Sequence, residues 1–196
     1  NTAFARSMAD SIGSIKVPPN VDEDGADATL VREKLVHALH QHVRNEFNIP
    51  GLQLGLRYEG SPIVARESEA PTADQPNNYI PTARPGARAP HVWLDGKSIF
   101  DLFGRDYTLL CFTGQGQAAA QADGARWQAA AAAMGVPLGI LYCGSAEAHA
   151  LYGADRVLVR PDHHVTWRGG TGADAENLLA MACAREIQAD RQRNAA

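Results

Sequence analysis

A chain of 196 residues with 45% apolar and 20% charged residues can bury a sizeable core, as one domain or one domain with an appendage. Its formal net charge of -4 and its scattered arginines form no basic stripe, which argues against nucleic acid or an anionic membrane surface as a partner. No apolar run approaches the roughly 20 residues of a membrane span, and the N-terminus has no signal-peptide apolar segment, so a cytoplasmic location is the expectation. Cys111, Cys143 and Cys183 are widely spaced in apolar surroundings, the pattern of reduced core thiols rather than of a disulfide framework.

In chain order, the sequence from Thr2 to Ile15 is mildly amphipathic and reads as the tail of a helix ending near Gly13, ahead of Pro18-Pro19. The acidic loop Asp22 to Asp27 follows. Through residues 28 to 47, Leu35, Val36, Leu39, Val43 and Phe47 fall on one helical face, which needs a partner to bury it. Gly51 to Tyr58 alternates with a period of two and predicts a half-buried strand. One helix and one strand make no independent domain, so residues 1 to 65 read as the closing segment of a larger one. The chain begins with Asn1 rather than methionine, and sequence upstream is expected. Residues 66 to 90 carry Pro71, Pro76, Pro81, Pro85 and Pro90 among polar residues, the composition of an extended, semi-rigid linker.

From residue 91 to 196 the pattern is that of an α/β domain. Val92-Trp93-Leu94 supplies an apolar edge and Asp95-Gly96 a tight turn. Ser98 with Asp101 opens a short helix that Gly104 can end. Tyr107 to Phe112 is apolar on both faces, as in a central strand covered by helices. An alanine-rich helix from Gln121 to Met134, anchored by Trp127, stops at Gly135 and Pro137. Leu138 to Cys143 reads as a second buried strand, Ala146 to Tyr152 as a short helix, and Arg156–Arg160 with His164–Arg168 as a hairpin. Thr171 with Asp174 opens a last helix that carries Leu178, Leu179, Ala182, Cys183 and Ile187. Strand, helix, strand, helix, hairpin, helix is a thioredoxin-like order, with a central mixed sheet flanked by helices.

The residues Arg84-Pro85-Gly86, Arg88-Ala89-Pro90-His91, Ser98, Asp101-Leu102-Phe103-Gly104 and Leu109-Leu110 carry a resemblance. It continues through Leu158-Val159-Arg160-Pro161-Asp162 and Val165-Thr166-Trp167-Arg168, and reaches back to Gln53-Leu54-Gly55-Leu56-Arg57-Tyr58. Together they resemble the C-terminal region, including the thioredoxin-like domain, of FAD-dependent aromatic hydroxylases of the phenol hydroxylase and polyketide hydroxylase type. The resemblance implies a parent enzyme that binds FAD, is reduced by NAD(P)H and hydroxylates an aromatic ring. It also implies N-terminal FAD and substrate domains as partners within the same protein, and a homodimer contact. The GxGxxG fingerprint of such enzymes is not in these residues, so no catalytic, cofactor-binding or metal residue is assigned, and the fragment is expected to be structural and redox-inactive.

A dithiol enzyme needs Cys-x-x-Cys at the helix start after the first core strand. That place reads Thr113-Gly114-Gln115-Gly116, and the place of a thioredoxin's cis-proline reads Ala154-Asp155. Cys111 lies inside the strand, where its thiol should be inert. Glu33, His37 and His40 have metal-ligand spacing on a helix, but a solvated polar face explains them better. For His163-His164 a left-handed turn outweighs acid-base work, a glycine being usual at His163 in the resembling family. Gly114 to Gly116 is too sparse for a phosphate cradle. Arg84, Arg88 and His91 read as fasteners of the linker rather than ligand contacts. The alternatives are a stand-alone thioredoxin-like or peroxiredoxin-like thiol enzyme, which would need a reactive Cys111 or Cys143, and a non-enzymatic interaction module docking through residues 1 to 65.

Overall fold

The computed structural model describes residues 2–185, so the expected place of Ile187 on the last helix lies outside the described residues. The chain divides into two compact units. The first runs up to Gly55 and takes in Ala73–Ile80, while the second comprises Leu56–Thr72 and the described residues from Pro81 onward. No helix among the described residues is long and apolar enough to cross a membrane.

In the first unit, α1 (Thr2–Ser14) lies against α2 (Ala26–Phe47). The face of α2 that is covered is Ala28, Leu35 and His42, a repeat of seven, with Ala28 and His42 buried. Of the stripe expected to need a partner, Leu35 is half-buried on this covered face and the rest stays open to solvent: Val36 is 48% exposed, Val43 49% and Phe47 71%. Residues 51 to 58, expected as a strand, instead begin with the helix α3 (Pro50–Leu54). Pro50 presets the first helical position, and Gly51 donates its N–H to the Pro76 carbonyl at 3.0 Å. A Cβ at Gly51 would lie 1.9 Å from the Gln75 carbonyl oxygen, so this close approach of two backbones needs glycine. With alternation over so few residues, period alone does not separate strand from helix. Asn77 Nδ2 donates to the carbonyls of Asn45 (3.0 Å) and Asn48 (2.6 Å), satisfying groups left open at the end of α2.

The second unit starts its regular structure with a small hairpin, β1 (Trp93–Leu94) and β2 (Lys97–Ser98). Asp95 and Gly96 both have positive φ, 49° and 77°, as the tightest two-residue hairpin turns require. Ser98 caps α4 (Ile99–Phe103), its hydroxyl accepting from Phe100 N, and Gly104 ends the helix at φ 71°. The central strand β3 (Tyr107–Phe112) leads into α5 (Gln117–Met134), which begins earlier than the alanine run suggested and stops at Gly135 in left-handed geometry. Then come β4 (Leu138–Cys143), α6 (Ala146–Tyr152), β5 (Arg156–Val159), β6 (Val165–Gly169) and α7 (Ala175–Ala182). The cap of α7 is Asp174, which accepts from Asn177 N, rather than Thr171.

The sheet order is β4-β3-β5-β6, with β3 and β4 parallel and the other pairs antiparallel, a mixed sheet of the expected class. Alternation along β3 and β5 sorts the core into two layers. Leu110, Phe112, Val157 and Val159 pack with Ile99 and Phe103 of α4 and Ala148 and Tyr152 of α6. Leu109, Cys111 and Leu158 pack on the other face with Ala120, Trp127 and Ala131 of α5 and Leu179 of α7. Trp127 stacks on Trp167 at 5.5 Å.

The proline-rich stretch is extended, yet its last part is buried. Ala83, Ala87 and Ala89 are shielded from solvent, because small side chains between prolines let the backbone run close along β6. Gly86 N donates to Val165 O (2.7 Å), Val165 N to Ala87 O (2.9 Å), Ala89 N to His163 O (2.8 Å) and Ala65 N to Thr166 O (2.8 Å).

Candidate functional site

The place where a redox thiol would sit is the end of β3. Thr113 closes the turn there by accepting from Gly116 N at 2.8 Å, while its own hydroxyl donates to the Cys143 carbonyl at 3.3 Å. Gly116 precedes α5 with φ 110°, a conformation that favours glycine. Gln115 donates from Nε2 to Asp155 Oδ2 at 2.9 Å, and His149 Nε2 meets Asp155 Oδ1 at 3.0 Å. Beneath them lies Arg156, only 2% exposed. Its Nε donates to Asp123 Oδ2 at 2.8 Å, and its Nη1 donates to the carbonyls of Phe112 (3.1 Å) and Asp155 (2.7 Å). Asp123 also accepts from Arg126 at 2.6 Å.

Each of these polar groups has a partner, and none is a nucleophile. Cys111, inside β3, points into the α5 layer; burial pushes its thiol up to about 11, against the opposing pull of Arg156. A thiol so protonated at neutral pH is a poor nucleophile and a poor metal ligand. Cys143 is buried as well, and Cys183 is partly exposed at the end of α7. The Asp123–Arg156 pair was not singled out from sequence; the signal available was a lone acid in an alanine-rich helix and an arginine opening an apolar strand.

The other sequence candidates separate. Glu33, His37 and His40 all lie on the exposed surface of α2. Among the described residues no group of three histidine, cysteine or acidic side chains could hold a metal ion. The buried histidine of α2 is His42, which sequence reasoning passed over. Its Nδ1 lies 3.2 Å from Ser11 Oγ on α1 and its Nε2 lies 3.4 Å from Glu46, a polar tie between two helices. His163 occupies a left-handed turn at φ 63° and stacks on Phe100 at 5.1 Å with ring planes 6° apart. His164 leans on the Tyr58 ring at 4.7 Å. Arg84 pairs with Glu67 at 3.0 Å, Arg88 lies 4.7 Å over the Phe100 ring, and His91 Nε2 meets Ser98 Oγ at 3.1 Å. Arg88 and His91 both pack on Phe100, the His91 ring 5.4 Å from it, while Arg84 is engaged apart from them on Glu67.

A dinucleotide needs a strand-to-helix turn whose backbone N–H groups face the pyrophosphate with no anion beside them. After β3, the Asp155 carboxylate stands against Gln115 of the turn. After β4, the Ser145 hydroxyl already accepts from Ala148 N at the start of α6. Neither turn fits the group.

Known proteins supply the remaining findings. The family described as aromatic-ring hydroxylase, C-terminal, matches residues 82–187. The FAD-dependent monooxygenase opdD of Penicillium oxalicum is 35% identical over 165 residues, covering 80% of this chain and 31% of that protein. The 2,4-dichlorophenol 6-monooxygenase of Cupriavidus pinatubonensis is 32% identical over 198 residues, covering 89% and 31%. The rebeccamycin biosynthetic enzyme RebC, solved with reduced flavin, superposes with a TM-score of 0.74 at 34% identity, covering 91% of this chain and 32% of that one. The chain thus spans about a third of the length of the relatives it matches.

Proposed function

Since the chain belongs to the family of aromatic-ring hydroxylase C-terminal domains, we propose that it is the rear part of an FAD-dependent monooxygenase that hydroxylates a phenolic or polyketide ring with NAD(P)H as reductant. In this reading the protein is cytoplasmic, and FAD, nicotinamide and substrate are held by other residues of the longer protein. The observation that carries the reading is the family match over residues 82–187, together with relatives named as FAD-dependent monooxygenases.

Within that protein the second unit serves as a redox-inactive, thioredoxin-like module. Supporting this, the turn after β3 holds Thr113 and Gly116 where the two cysteines of a dithiol would stand, and Cys111 faces the core. Residues 1 to 65 serve as a closing segment of the catalytic body. Supporting that, Val36, Leu39, Val43 and Phe47 form an exposed apolar stripe of helical spacing on α2, the face a neighbouring domain would cover.

The purified chain tests the reading when mixed with FAD, NADH or NADPH and a phenol. The expected result is no retained flavin absorbance after gel filtration and no nicotinamide oxidation. A yellow protein with near-stoichiometric flavin would overturn it, and so would rapid peroxide or disulfide turnover blocked by alkylation of Cys111 or Cys143.

A further inference from the structure

One aromatic ring joins three parts of the second unit. On Phe100 of α4 the His163 imidazole stacks at 5.1 Å with ring planes 6° apart, the Arg88 guanidinium lies at 4.7 Å and the His91 ring at 5.4 Å. His163 belongs to the turn between β5 and β6. Arg88 and His91 belong to residues 84–91, which cover the outer edge of β6 through the bonds of Gly86 and Ala87 with Val165 and of Ala89 N with the His163 carbonyl. This cover is made of single backbone bonds and an isolated bridge between Arg88 and His164, not of a regular strand.

Charge at the joint is one-sided. The groups facing the imidazole are Arg88 from the covering segment, Asp162 and His164 from its own turn, and the apolar Phe100 and Phe103 from α4. Asp162 is the one acid among them, and it is already engaged: Arg160 lies 3.0 Å from its Oδ2 and His164 Nδ1 lies 3.6 Å from its Oδ1. The backbone of the turn gives no reason for an imidazole, since glycine adopts a φ of 63° without strain. A larger side chain held in that left-handed geometry and laid on an aromatic ring points to a role for the side chain itself.

We propose that His163 is an acid-operated latch: its neutral imidazole holds residues 84–91 on β6 and α4, and a proton taken up by the ring releases them and bares the β6 edge. The neutral ring stacks on Phe100 through apolar and π contact. Protonated, it becomes a second cation on a ring that already bears Arg88, and the repulsion is relieved when the segment carrying Arg88 moves away. Burial and then Arg88 hold the imidazole below its ordinary 6.5, with His164 adding to this and Asp162 opposing it. The released form takes up the proton at the ordinary value. The latch is therefore closed above pH 6.5 and loosens as the pH falls through the lowered value of the closed form. It lies within the second unit and works whatever chemistry the longer protein carries, so it stands apart from the proposed function.

Residue-resolved amide exchange of the 196-residue chain at about pH 7.5 and about pH 5, corrected for intrinsic exchange rates, tests it. The expected result is that the amides of Gly86, Ala89 and Val165 lose about three- to tenfold in protection at the lower pH, while those of Leu109 and Leu110 in β3 keep theirs. His163→Asn, which tolerates the turn, should remove the difference, and His91→Asn and His164→Asn should each leave it in place. Three results would overturn the proposal: unchanged protection of the covering segment, an equal loss in β3, or a loss that survives in His163→Asn. Should that variant fail to fold, the proton resonances of the His163 ring in the parent protein decide. They must titrate with the same midpoint as the shifts of the Gly86 and Ala89 amides, and a ring that titrates alone while those amides hold sinks the latch.

Discussion

The Arg168 guanidinium donates from Nε to Glu67 Oε1 at 2.7 Å across 101 residues of sequence. The same carboxylate accepts from Arg168 Nη2 at 3.2 Å and from Arg84 at 3.0 Å, and Arg168 also donates to the Tyr152 carbonyl at 3.2 Å. One acid therefore holds two segments onto β6. Glu67→Gln keeps the shape but removes the charge, and should cost about 1–2 kcal/mol of folding stability, read as a lower urea midpoint. Arg84→Ala in a Glu67→Gln background should add less than it does alone.

Asp123 and Arg156 are a buried pair, so the two single removals and the double removal should differ in kind. Arg156→Met leaves the buried Asp123 carboxylate with Arg126 alone and takes a donor from the Phe112 carbonyl, while the Asp155 carbonyl keeps Phe112 N, and should cost about 2–3 kcal/mol. Asp123→Leu leaves a buried guanidinium and should cost a similar amount. The double variant should recover much of that loss, since apolar replacement of a whole buried pair is often close to neutral. Chemical denaturation of the four proteins measures the coupling.

Alkaline conditions should weaken the fold through Cys111. Its thiol lies near 9.0 when unfolded and is pushed by burial to about 11 in the fold. Between these values the unfolded chain releases a proton that the folded one keeps, so stability is full below pH 9.0 and falls as pH rises toward about 11. Cys111→Ala should flatten that fall relative to the parent protein. At neutral pH, thiol reagents should modify Cys183 well before Cys111 or Cys143, with all three reacting in urea.

On the acidic side His163 acts in the opposite sense. Burial and then the nearby Arg88 hold its imidazole below the usual 6.5, with Asp162 pulling the other way and His164 adding to the depression. The unfolded chain takes up this proton first, so the stability contributed by His163 is present above pH 6.5 and is lost as pH falls through the lowered folded value. His163→Asn tolerates the left-handed turn and should reduce the pH slope of the denaturation midpoint. It should also cost about 1 kcal/mol for the lost stack on Phe100.

The second unit was largely legible because its signals are local. Ser98 and Gly104 bracket α4, Asp95-Gly96 makes a hairpin turn, and the unbroken apolar run of β3 marks a strand buried on both faces. What the sequence hid is long-range. The alternation of residues 51 to 58 gives no hint of the backbone at Gln75 and Pro76 against which Gly51 packs, and that contact goes with a helix there. On α2, the larger apolar side chains drew attention to Val36, Leu39 and Val43, while the small or polar Ala28 and His42 are the residues that are buried, His42 against Ser11 of α1. Prolines around Ala83, Ala87 and Ala89 suggested a solvated spacer, although the alanines between them are small enough to be buried. The Asp123–Arg156 pair escaped notice because its members are 33 residues apart, and neither stands in a motif.

Thr166 receives Ala65 N at its carbonyl and donates its hydroxyl to Ile63, 103 residues earlier. During synthesis the early strip must therefore wait, unmatched, until the final hairpin leaves the ribosome. A laboratory excision that began at the first hairpin would discard that strip, leaving a sheet bare at both margins and prone to stick to its neighbours.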